Sequence, residues 1–125
     1  MQRRRVLVVD DEEHIREIAA VSLELTAGWE VRQARSGTEG IEAAIRWAPD
    51  AILLDVMMPD LDGAAAFGRL QADDRTARIP VVFLTAKVQT SDLHRYLSLG
   101  VRGVIAKPFD PVLLAGRLSE ILGWS

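Results

Sequence analysis

The sequence predicts an open α/β domain in which five parallel strands alternate with five amphipathic helices, doubly wound in the strand order 2-1-3-4-5. Three observations carry that expectation. Short apolar runs recur along the chain, most without polar alternation, as in strands covered on both faces. Apolar residues at helical spacing follow each run. One such continuous run, Ala51-Ile52-Leu53-Leu54, meets a carboxylate, Asp55, just before a loop marked by Pro59 and Gly63. The carboxyl end of a central parallel strand is where α/β sheets bind ligands.

Taken in order, Val6-Leu7-Val8-Val9 reads as the first strand, ending in Asp10-Asp11. From Glu12 to about Thr26, Ile15, Ile18, Ala19, Ser22 and Leu25 keep helical spacing; Glu12 and Glu13 suit the helix dipole, and Gly28 closes it. Trp29 to Ala34 alternates weakly and reads as an exposed edge strand. Ser36-Gly37-Thr38-Glu39 is a capping box, Ser36 capping and Glu39 reaching back. The helix behind it places Ile41, Ala44, Ile45 and Ala48 on one face and stops at Pro49. After the Asp55 strand, a modest helix from Gly63 to about Ala72 turns Phe67 and Leu70 inward, and residues 72–78 form an exposed loop. Ile79 to Leu84 is a fourth strand that delivers Thr85-Ala86-Lys87. Asp92 to Leu99 is a short helix with few apolar residues, closed by Gly100. Gly103 to Ala106 is the fifth strand, ending at Lys107-Pro108. Asp110 caps a last helix with Pro111 in its first position and Leu114, Leu118, Ile121 and Leu122 on its core face.

Composition narrows the function. The chain has 125 residues, 49% of them hydrophobic and 26% charged, which suits one globular domain with a core, expected to span residues 1–125 with no effector domain. A net charge of −3 gives no general attraction to nucleic acid or anionic lipid, and direct nucleic-acid binding is not expected. Without cysteine there is no disulfide, thiolate metal site or cysteine nucleophile. No apolar run is long enough for a membrane span, and Met1-Gln2-Arg3-Arg4-Arg5 does not lead into a signal peptide, so no membrane association and a cytoplasmic location are expected. The arginine run is too short for a nucleic-acid patch and is expected to fray. Trp29, Trp47 and Trp124 share no period and read as packing residues. His14 and His94 read as ordinary surface residues.

The predicted topology gathers Asp10 and Asp11, Asp55, Thr85 and Lys107 at one edge of the sheet. Singly, each has a bland explanation as a helix-start acid, a turn hydroxyl or a surface charge. Together they make a chemistry. Three carboxylates in one cleft repel one another unless a cation intervenes. An all-oxygen donor set favours Mg²⁺ over Zn²⁺. Metal, ammonium and hydroxyl are what the equatorial oxygens of a transferring phosphoryl group require. Asp55, central in the group, can attack phosphorus and form an acyl phosphate.

Four motifs in combination, Val8-Val9-Asp10-Asp11, Leu54-Asp55-Val56-Met57-Met58-Pro59 with Asp62-Gly63, Leu84-Thr85-Ala86 and Lys107-Pro108-Phe109, make the chain resemble a receiver domain of the two-component response regulators, with a flavodoxin-like fold. The resemblance implies that Asp55 accepts phosphate from a sensor histidine kinase or histidine phosphotransfer protein. It implies Mg²⁺ held by Asp11, Asp55 and the backbone carbonyl of Met57, with Asp10 acting mainly through a bound water. Thr85 is then the switch hydroxyl, Lys107 the phosphoryl partner, and Lys107-Pro108 a cis bond. Met57 and Lys87 would flank the water path to the acyl phosphate. A downstream effector protein or domain is implied, as is pairing of two copies through the helix 4–strand 5–helix 5 face, near Arg95, Tyr96, Arg102 and Arg117. One position departs from the family: Val104 stands where an aromatic usually reports the state of the threonine.

Two other functions compete. A phosphohydrolase of the haloacid dehalogenase type needs a second acid two residues after the nucleophile, where Met57 stands. A receiver-like scaffold that binds partners without phosphorylation is opposed by the intact set of Asp10, Asp11, Asp55, Thr85 and Lys107, while Val104 keeps it open.

Overall fold

Successive side chains on a strand point to opposite faces, so an apolar run feeds two cores at once. The computed structural model, which describes residues 3–86 and 88–124, builds on that rule. Its elements are β1 (Arg5–Val9), α1 (Glu13–Ala27), β2 (Glu30–Ala34), α2 (Gly37–Trp47), β3 (Ala51–Asp55), α3 (Gly63–Ala72), β4 (Val81–Thr85), α4 (Thr90–Leu99), β5 (Gly103–Ala106) and α5 (Leu114–Leu122). The strands pair in parallel in the order β2-β1-β3-β4-β5, as expected. Val6, Val8, Leu53, Val82, Leu84 and Ile105 meet α1 and α5 through Ala19, Leu23, Leu114 and Leu118. Leu7, Val9, Ile52, Leu54, Val81 and Phe83 meet α2, α3 and α4 through Ala44, Trp47, Phe67, Leu70 and Tyr96. Among the described residues, no helix is long and apolar enough to cross a membrane.

Local chemistry explains most boundaries. Gly28 ends α1 at φ 70°, in the left-handed region. Ser36 Oγ accepts from the Glu39 amide at 3.1 Å, while Glu39 reaches back one residue further than expected, accepting from Arg35 N at 3.3 Å. Asp62 caps α3 by accepting from Ala65 N at 2.8 Å.

The last helix begins later than the sequence suggests. Asp110 Oδ1 accepts from Val112 N at 2.9 Å, and its carbonyl accepts from Leu113 N at 3.0 Å. The side chain thus closes a separate turn, which competes with the helical path, and α5 starts only at Leu114. Leu25 is not a core residue but 80% exposed; Ala19, Ala20, Ser22 and Leu23 carry the contact. It lines an open apolar groove with Ile18, Val21, Pro111 and Val112. Ala48 likewise lies outside α2, exposed and at φ 50°, because Pro49 disfavours helical backbone in the residue before it. In the loop after α3, Thr76 is buried and donates to Leu70 O at 2.7 Å.

Candidate functional site

The site lies where three neighbouring strands and β5 run out. β1 delivers Asp10, and β3 delivers Asp55, which are 0% and 1% exposed; β4 delivers the buried Thr85. Asp11, one residue on, is exposed. Burial follows from topology, since β1, β3 and β4 each have a strand on both sides.

Lys107 joins the two buried carboxylates. Its Nζ lies 2.8 Å from Asp10 Oδ2 and 3.1 Å from Asp55 Oδ1, with the exposed Glu12 at 3.6 Å. The Lys107-Pro108 bond is cis, and Lys107 N donates to Thr85 O at 2.9 Å. Burial opposes the lysine's charge, but hydrogen bonding and attraction from Asp10, then Asp55, raise its pKa on balance. The Asp55 pKa is raised too, which here disfavours the charged form: burial first, and the Asp10 charge second, lift its carboxyl from 3.8 to about 6 against the pull of Lys107.

Two loops complete the frame. Asp10 Oδ1 accepts from Glu12 N at 2.9 Å, which leads the chain into α1. Asp55 Oδ1 accepts weakly from Met57 N at 3.4 Å. Gly63 is required by close approach: a Cβ there would stand 2.7 Å from the Asp55 carbonyl oxygen and from Val56 Cα. A cavity of about 350 Å³ opens beside this loop, bounded by Val56, Met57, Asp62, Arg95, Tyr96 and Leu99.

Asp10, Asp11 and Asp55 each offer an oxygen within 4.8 Å of the others, so the cluster could hold a metal ion. Asp55 Oδ2 is buried with no hydrogen-bond partner among the described residues. A buried, unpaired carboxylate oxygen in an all-oxygen set fits a hard divalent cation and has no purpose in packing.

The sequence pattern of the response regulator receiver domain matches residues 6–119. This chain belongs to that family. Receiver domains serve two-component response regulators as phosphoacceptors. Over 118 residues the chain is 38% identical to the DNA-binding dual master transcriptional regulator RpaA of Synechocystis, covering 94% of this chain and 48% of that protein. It is 38% identical to the phosphate regulon transcriptional regulatory protein PhoB of Pseudomonas aeruginosa, covering 98% of this chain and 53% of that one. The chain thus spans about half the length of these relatives. Among solved receivers, the chemotaxis protein CheY4 of Vibrio cholerae superposes with a TM-score of 0.89 at 28% identity, covering 96% of this chain and 99% of that one. The receiver domain of the sensor histidine kinase PA1611 of Pseudomonas aeruginosa, with a magnesium ion coordinated in its active site cleft, gives 0.85 at 29% identity, covering 98% and 99%.

Asp10, Asp11, Asp55, Thr85 and Lys107 share one edge of the sheet, as the predicted topology required. Lys87 lies outside the described residues. Val104 is half-buried against the cluster that contains Phe83 and Tyr96. Tyr96, expected near an exposed face, is 2% exposed and meets Phe83 edge-on at 5.3 Å between ring centres. Sequence reasoning missed Glu12 as a Lys107 neighbour and passed over Asp60, whose carboxylate reaches the start of α2. Neither residue belongs to a motif; only the fold brings them to the site.

Proposed function

We propose that this receiver is a phosphorylation-driven signalling switch in a two-component phosphorelay, with Asp55 as the phosphoacceptor. The observation that carries the reading is the Asp55 carboxylate itself: buried at a strand end, with one oxygen unpaired and the other held by Lys107 at 3.1 Å. In the step, a carboxylate oxygen of Asp55 forms the O–P bond while the P–N bond of a donor phosphohistidine breaks. The bonding electrons return to the imidazole nitrogen, which takes up a proton. The donor is a sensor histidine kinase or a histidine phosphotransfer protein. Small acyl phosphates serve the same attack, and water slowly removes the group.

Asp11, Asp55 and the Met57 carbonyl are the proposed holders of Mg²⁺, Asp10 contributing through water. Bound there, the ion would offset negative charge on the phosphoryl oxygens. Lys107, already between Asp10 and Asp55, supplies a second positive charge without reorganisation. Thr85 is proposed to hydrogen-bond the phosphoryl group and to carry its presence toward α4 and β5. Val104 limits that output, since it cannot swing an aromatic ring across the β4–β5 face. The exposed Arg95, Arg102 and Arg117 mark the face proposed for a partner or a second copy. Tyr96, being buried, does not belong to it. Residues 1–125 form the receiver module of this cytoplasmic switch.

The test is intact mass after incubation with Mg²⁺ and acetyl phosphate. One added phosphoryl group is expected in the wild type, and none in Asp55→Asn or without metal. A beryllofluoride titration followed by amide spectra is the second arm, with shifts expected at Asp55, Thr85 and in α4. Absence of both label and beryllofluoride shifts would favour a scaffold instead.

A further inference from the structure

The loop between β3 and α3, residues 56–62, carries Met57 past Asp55, and two contacts beyond the site help to hold it. One is Gly63, whose amide donates to Val56 O at 2.9 Å. The other is Asp60, which reaches sideways to a different element. Its Oδ1 accepts from Gly37 N at 3.3 Å, and its Oδ2 from Thr38 N at 3.4 Å and Thr38 Oγ1 at 3.2 Å. These are the first amides of α2, which lack partners inside the helix. The helix's own cap, Ser36, serves Glu39 N. Burial opposes the Asp60 charge, yet hydrogen bonds from Thr38, Leu61 and Gly37 lower its pKa on balance. A carboxylate at a helix N-terminus is also favoured by the dipole.

Backbone meets backbone at the same place. A Cβ on Gly37 would lie 2.7 Å from Leu61 O and 3.0 Å from Leu61 Cβ. Gly37 is therefore the residue that lets the loop and α2 close on each other.

We propose that Asp60 is a positioning residue: by clasping the 56–62 loop to the N-terminus of α2, it fixes the Met57 backbone and so sets the site's affinity for Mg²⁺. The inference rests on the proposed function, which makes the Met57 carbonyl a ligand. The hydrogen bonds are individually long, so their effect lies in restraint rather than in bulk stability. Restraint matters here because Mg²⁺ requires near-ideal octahedral geometry. Partners behind the ligands of a metal commonly change affinity by about tenfold or more.

The experiment is calorimetric titration of Mg²⁺ into the wild type, Asp60→Ala, Asp60→Asn and Ser36→Ala, with amide hydrogen exchange on the metal-free proteins. Asp60→Ala is expected to weaken Mg²⁺ binding about three- to tenfold and to speed exchange at Met57. Asp60→Asn, which keeps one acceptor oxygen, should fall between it and the wild type. Ser36→Ala removes a cap from the same helix, so it should lower the melting temperature while leaving Mg²⁺ affinity and Met57 exchange unchanged. Acetyl phosphate labelling of Asp60→Ala should recover nearly the wild-type rate at saturating Mg²⁺. Mg²⁺ affinity in Asp60→Ala within about twofold of wild type would overturn the clasp, as would equal weakening by Ser36→Ala. A wild type that binds no Mg²⁺ would strike the proposed function; the exchange rates would still decide the clasp, unchanged exchange at Met57 in Asp60→Ala refuting it.

Discussion

The two ends of the sheet treat charge in opposite ways. At the carboxyl ends of the strands, Asp10 and Asp55 are buried around one ammonium, and burial with mutual repulsion lifts Asp55 to about 6. At the amino ends, and from the middle of β2, arginines sit over tryptophan rings. Arg5 and Arg32 sit 4.5 and 4.7 Å from the centre of Trp47, and Arg4 sits 4.5 Å from Trp124, which meets Trp29 edge-on at 5.1 Å. Arg3 donates to Gly28 O and Trp29 O at 2.8 and 3.0 Å, so the described arginines do not fray. The charges at the amino end keep contact with water and stack on rings, a geometry worth about 0.5–1 kcal/mol per contact. Those at the carboxyl end have lost water without full compensation. Stability is built at the amino end and given up at the carboxyl end, where buried acids await a positive charge.

That contrast can be broken from either side. The largest stability effect is expected at the amino end. Trp47→Ala, at a residue 4% exposed and beneath two arginines, should cost about 3–5 kcal/mol. Urea unfolding would measure it, while Mg²⁺ affinity should stay within about twofold if the two ends are independent.

A change of opposite sign is expected at the carboxyl end. Asp55 has a folded pKa raised above its ordinary 3.8 to about 6, so its ionisation favours the unfolded chain. The stability gained by keeping it protonated is full below about pH 4 and is lost as pH rises through about 6. Asp55→Asn should therefore stabilise the metal-free protein by about 1–2 kcal/mol at pH 7.5, with the gain vanishing near pH 4. Thermal melts at both pH values in a chelating buffer would measure it. A variant less stable than wild type at pH 7.5 would mean that Lys107 compensates the carboxylate fully.

The smallest effect sharpens the comparison by touching neither end's charges. Ala48 sits at φ 50° in the left-handed region, where a Cβ is strained. Ala48→Gly should stabilise by roughly 0.5–1 kcal/mol in the same unfolding assay, with no change in phosphoryl labelling.

Much of this was legible in the chain itself. The runs Val6–Val9, Ala51–Leu54 and Val81–Leu84 are apolar on both faces, and such runs have few alternatives to central parallel strands. Ser36 and Gly28 announced helix ends because caps act over three or four residues. Asp110 misled because its side chain closed a turn of its own. Leu25 misled because spacing reports a helix's periodicity but not which part of its surface another element covers.

The order of the elements, the two-sided burial of the central strands and the placing of acids, threonine and lysine at their ends were all readable in the chain. Those are local properties, set by side-chain period and backbone preference within a few residues. That Asp55 Oδ2 has no partner among the described residues, that Phe67 and Tyr96 both bring their rings edge-on to Phe83, and that Asp60 closes on Gly37 and Thr38 follow from the packing of the folded chain. Gly37 and Asp60 are 23 residues apart, and the arginines reach their tryptophans only across strands and connections. Such pairings are selected by the packing of whole elements, whose geometry no short stretch of sequence contains.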